Sequence, residues 1–78
     1  MNNSFSIRMC SDLDYEEMVA DICWGNDTVA LISQENGTEN MEIEIYQPLE
    51  NMSSWKFPLD EFVNIVQAAK KRLIEMNR

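Results

Sequence analysis

The chain has 78 residues, 45% of them hydrophobic and 26% charged, enough for one small globular domain that buries only about 60–65% of its unfolded surface in a thin core. Its net charge of −8 is unevenly placed: residues 1–55 hold Arg8 as their only base against eleven acids, whereas residues 56–78 hold five bases and three acids. That balance argues against direct nucleic-acid binding and against docking on an anionic membrane, since both need clustered Lys and Arg.

A basic protein partner fits the field, because complementary charge speeds encounter and rejects wrong partners. Plain solubility explains the acidity equally well. No apolar run approaches the ~20 residues needed to span a bilayer. The start, MNNSFSIRMC, lacks the basic and apolar regions of a signal peptide, so a cytoplasmic location is the default expectation. Cys10 and Cys23 are the only cysteines and the chain has no histidine. Two reduced thiols are therefore expected, with no zinc site. The sequons at Asn2, Asn26, Asn36 and Asn51 are read as chance.

In chain order, Phe5, Ile7 and Met9 alternate with Ser6 and Arg8, the period-two pattern of a strand over about 5–10. Ser11 to Asp14 is turn-prone. Alternation resumes over 15–24, and Gly25-Asn26-Asp27 supplies a tight turn. A third strand, 28–34, carries Val29, Ala30, Leu31 and Ile32 in a row, as suits a central strand buried on both faces. Asn36-Gly37 is a further hairpin signal. The fourth strand, 41–46, sends Met41, Ile43 and Ile45 one way and Glu42, Glu44 and Tyr46 the other. Trp55 to Phe57 reads as a short edge strand.

The last segment, 59–77, is an amphipathic helix with a stripe of Phe62, Val66, Ala69, Leu73 and Met76, widened by Val63 and Ile65. Pro58 is tolerated at its entrance, and Asp60 and Glu61 suit its first turn. Lys70, Lys71 and Arg72 lie towards its end. The fold expected is α+β: one domain, 1–78, with an antiparallel meander of four to five strands and the helix across one face. Met18, Ala20, Ile22, Val29, Leu31, Met41, Ile43, Ile45, Trp55 and Phe57 should lie beneath the helix. The other face should be open and acidic, with Glu17, Asp21, Glu42, Glu44 and Tyr46 around Val19, Ala30 and Ile32, an arrangement resembling an interface.

Catalytic chemistry finds little support. Glu42 and Glu44 sit two apart on one strand face, roughly 7 Å from each other, a spacing some glycosidases use. They read better as a solvated strand face, because a meander this small has little room for a concave site. The commonest general base is missing, and only two glycines are present to build a phosphate loop. Asp12, Asp14, Glu16 and Glu17 could offer oxygen ligands to Ca²⁺, but without the EF-hand pattern an exposed acidic loop is the better reading. Trp24 and Trp55 are expected at the core or its edge.

The stretch MVADICWGNDTVALISQENGTENMEIEIY followed by FPLDEFVNIVQAAKKRL resembles short acidic bacterial meander-plus-helix proteins. Some of these act as immunity proteins beside polymorphic toxins. The resemblance covers roughly residues 18–73, implies the same fold and a protein-binding role, and transfers no individual site residue. The expectation is a non-enzymatic inhibitor or immunity-type protein, without metal or cofactor. It would bind a basic protein surface through Glu17, Asp21, Glu42 and Glu44, with Tyr46 as anchor. A homodimeric or accessory subunit is the alternative.

Overall fold

In the computed structural model, residues 4–76 are described. Four strands follow one another, β1 Phe5–Cys10, β2 Val19–Trp24, β3 Asp27–Ser33 and β4 Glu42–Ile45, before a single helix, α1 Leu59–Met76. The strands form one antiparallel sheet in the order β1-β2-β3-β4, so each pairs with its neighbours in sequence. This is the expected α+β arrangement. The helix was expected to reach Asn77, which lies outside the described residues, as does Asn2.

Local chemistry explains most of the boundaries. Gly25 adopts φ 62 and is the only residue of the β2–β3 turn with positive φ, the pattern of a type II′ hairpin, in which glycine takes the first central position. Between β3 and β4 the chain takes a longer path. Gly37 donates its N–H to the Gln34 carbonyl at 3.0 Å and holds φ 91, and a 3₁₀ turn at Thr38–Asn40 follows. Asn36-Gly37 is thus part of a wider loop and not a two-residue hairpin. At the helix entrance the Phe62 N–H donates to the Pro58 carbonyl at 3.0 Å, the first bond of the helical ladder, for which Pro58 needs no N–H of its own. Asp60 and Glu61 do occupy the first turn. The last turn carries no base, so Lys70, Lys71 and Arg72 sit too early to gain much from the helix dipole.

Two expected strand spans are corrected. β2 begins at Val19 and not at residue 15. The N–H groups of Glu16 and Glu17 donate to the two carboxylate oxygens of Glu35 at 2.8 and 3.0 Å, so they are engaged away from the ladder with β1. Residues 55–57 form no strand. Phe57 instead stacks on Phe62 at 5.5 Å and meets Phe5 at 4.9 Å and Trp24 at 5.2 Å. The Trp55 indole N–H donates to the Tyr46 carbonyl at 3.2 Å. An aromatic cluster closes this end of the sheet. Trp24 and Trp55 belong to the core edge, as expected.

The phase of β3 is also corrected. A bulge lies between β2 and β3: Cys23 pairs with Thr28 but Ile22 pairs with Ala30, leaving Val29 as the extra residue. One inserted residue shifts everything beyond it to the other face. Ala30 and Ile32 therefore join Ile22 and Ala20 in the core beneath the helix, together with Ala69 and Leu73. Leu31 faces the other side, in one row with Asp21 and Glu44.

The helix lies over β1 and β2. Phe62, Ile65 and Val66 are half-buried and Ala69 and Leu73 fully buried, whereas Val63 and Met76, at the ends of the predicted stripe, are exposed. β4 is left uncovered. All four of its residues are exposed, Ile43 at 42% and Ile45 at 62%. The expectation that both isoleucines lie beneath the helix fails for this reason: one helix cannot span a four-stranded sheet, and it sits on the opposite half.

Candidate functional site

The five residues expected to form an acidic surface are not equivalent. Asp21 lies at the centre of the second face and is buried, with 7% of its surface exposed. Its Oδ2 accepts from an Arg8 guanidinium nitrogen at 3.0 Å. The Cys10 thiol lies 3.5 Å from the same oxygen. The hydrogen bond and charge of Asp21 hold Arg8 more firmly protonated than usual. Burial, then Asp21, pushes the Cys10 thiol up. Asp21 and Arg8 neutralise each other, so neither supplies a free charge to a partner. Cys10 and Cys23 are free thiols, Cys23 buried.

Glu17 belongs to the loop before β2 and is held through its backbone by Glu35. In the same loop, the Asp12 carboxylate accepts from the Asp14 N–H at 2.9 Å and the Asp12 carbonyl from the Tyr15 N–H at 3.0 Å. The acids of this loop thus shape it with their own oxygens. Among the described residues no cluster of three or more Cys, Asp or Glu comes together in a form suited to a metal ion.

Glu42, Glu44 and Tyr46 do share a face. The Tyr46 N–H donates inward to the Val29 carbonyl at 3.0 Å, which continues the β3–β4 register. Hydrogen-bonding direction and side-chain direction both alternate along a strand. Glu42 and Glu44 therefore also bond inward to β3 while their carboxylates rise on the side away from the helix. They form one wall of a shallow cleft completed by Tyr15, Ser33, Glu35 and the backbone side of Ile43. Three carboxylates and a phenol line it, and no base does. Burial, then the charge of Glu44, pushes the Tyr15 hydroxyl above its usual range. Tyr46 is raised by burial, then by Glu44 and Asp21. A site of this kind attracts cations.

On the helix side of the same strand, Ile43 borders a second groove with Ile32, Met41 and Val66. Ile45 stands further along the strand. Glu39, Glu42 and Lys70 line the same groove, so the two sides of β4 differ in chemistry: one is purely anionic and the other has aliphatic side chains with a mixed-charge rim. The expected open patch of Val19, Ala30 and Ile32 does not exist: Val19 is fully buried and the other two face the helix. Tyr15 and Glu35 were missed by sequence reading. Glu35 stands where a turn was expected, and nothing in the pattern announces that it captures two N–H groups almost twenty positions away in the chain.

No helix among the described residues is long and apolar enough to cross a membrane. Comparison with protein-family models, with curated proteins and with solved structures finds no match to this chain.

Proposed function

We propose that this chain is a non-enzymatic, acidic protein-binding module, acting as an inhibitor or immunity-type protein on a basic protein surface. The observation that carries the proposal is the cleft on β4. Glu42 and Glu44 stand exposed beside Glu35 and Tyr15, and the one base of residues 1–55, Arg8, is already committed to Asp21 on the opposite strand. A Lys or Arg side chain from a partner would gain several carboxylates and an aromatic wall without displacing an existing ion pair. On a nucleic-acid-binding partner, the carboxylates would occupy positions meant for phosphates and so block them.

The functional carboxylates are Glu42, Glu44 and Glu35; Glu17 and Asp21 shape the fold, and Tyr46 lies on the same face beyond Glu44, outside the cleft. The test is capture of basic proteins from host lysate by the wild-type chain and by the double variant Glu42→Lys, Glu44→Lys. Capture that the variant abolishes, and that falls as salt rises, is the expected result. Equal capture by both proteins contradicts the proposal.

A second reading, in which the chain is a homodimeric or accessory subunit, draws on the exposure of Ile43 and Ile45 at a sheet edge. Unpaired edges carrying aliphatic residues are natural sites of strand pairing.

A further inference from the structure

β4 ends the sheet, and among the described residues no strand lies on its outer side. Because Glu42, Glu44 and Tyr46 bond inward, the N–H and C=O groups of Ile43 and Ile45 point outward. Among the described residues, no backbone or side-chain group from outside the sheet hydrogen-bonds to either isoleucine. Natural proteins blunt such edges with short strands, charged side chains, proline, bulges or a covering loop. β4 is four residues long and carries two glutamates, but it has no lysine or proline and pairs with β3 in regular register, so its protection is directed against acidic strands and not against basic ones.

The charge pattern selects what fits. In an antiparallel pair, directly opposed residues lie on the same face. A second copy of β4 bonded through its outward groups would place Ile43 across from Ile43 or Ile45. Either register sets Glu44 across from Glu42 or from itself, and like charges directly opposed are destabilising. A strand whose basic residues fall on the Glu face reverses that sign.

Resting on the reading of the chain as an acidic binding module, we infer that β4 accepts an extended segment of a basic partner as the fifth strand of the sheet. The segment alternates in type. Its apolar side chains pack over Ile43, Ile45 and Val66 on the helix side, and its Lys or Arg side chains stand across from Glu42 and Glu44, reaching the Tyr15–Glu35 cleft. Main-chain bonds supply affinity and the two faces supply selectivity, as in other strand-addition complexes.

The geometry specifies which amides of the guest matter. Residues opposite Ile43 and Ile45 exchange both hydrogen bonds with them, and these are the apolar ones. The probe is a short peptide alternating lysine and valine, titrated into the full chain at low salt. Two derivatives accompany it, one N-methylated at the valines and one at the lysines. N-methylation at valine should weaken binding about tenfold, the order expected for losing two ordinary backbone hydrogen bonds. N-methylation at lysine should change it little. The Ile43 and Ile45 amides should become protected from hydrogen exchange in the complex.

Equal binding of the two derivatives overturns strand addition and leaves the acidic module standing on charge alone. If no cationic peptide binds, both proposals fall. A peptide-free dimer with Ile43 and Ile45 already protected overturns the choice of occupant in favour of a second copy.

Discussion

The Arg8–Asp21 pair shows how one contact redistributes an apparent surface charge. Asp21 falls on a buried strand position, where an unpaired carboxylate is costly, and Arg8 reaches it from the neighbouring strand with most of its own side chain, 65%, in solvent. In a double-mutant cycle, Arg8→Gln should destabilise the chain more when Asp21 is intact than in the Asp21→Asn background. Urea unfolding of the four proteins measures the difference, and additive effects would contradict the pairing. Tyr15 and Tyr46 make a pH prediction of definite sign. Both hydroxyls are held above the usual value, so the folded chain keeps protons that the unfolded chain releases from about pH 10 upward. Their contribution to stability is whole below that pH and is lost as pH rises through the raised values. Thermal melts between neutral and strongly alkaline pH, with and without Tyr→Phe at both positions, test it: the substituted chain should lose less stability across that window. Gly25 is the third residue with a sharp consequence. Its φ of 62 is strained for any residue with a Cβ, so Gly25→Ala should cost about 1–2 kcal/mol in urea unfolding.

At the scale of elements, the strands and helix were readable where one face is wet and the other dry. Phe5–Cys10 and Glu42–Ile45 announce themselves by alternation, and the helix by its stripe. Val29 to Ile32 does not carry the same information. Both of its faces are buried, so no polar residue marks the phase, and the bulge at Val29 is free to move the register by one. Trp55-Lys56-Phe57 mimics alternation because two aromatics flank a lysine, yet the rings are drawn into the cluster with Phe5, Trp24 and Phe62. The stripe of α1 likewise did not reveal which half of the sheet it covers. That choice separates two substitutions on the same helix. Leu73→Ala empties a fully buried position and should cost about 2–5 kcal/mol. Val63→Ala, at an exposed one, should change stability by no more than about 0.5 kcal/mol. Comparable losses at both would mean that the helix covers β4 as well.

At the scale of the whole molecule, the helix sits over β1 and β2, and β4 is left exposed. The bound base, Arg8, lies on edge strand β1, and two exposed carboxylates, Glu42 and Glu44, lie on edge strand β4 with the exposed isoleucines. The net charge of residues 1–55 was legible from composition, and Glu42 and Glu44 from alternation. The cleft was not, because Tyr15 and Glu35 reach it through a loop whose path is set by hydrogen bonds between positions distant in sequence. The central claim is that this edge is the binding surface. Amide chemical-shift mapping of the isotope-labelled chain against the lysine–valine peptide, at low and at high salt, tests it most directly. The account predicts shifts concentrated at Glu42–Tyr46, Tyr15 and Glu35, lost at high salt and absent in the Glu42→Lys, Glu44→Lys variant. Shifts centred instead on β1 or the outer face of the helix, or unchanged by that variant, would contradict it.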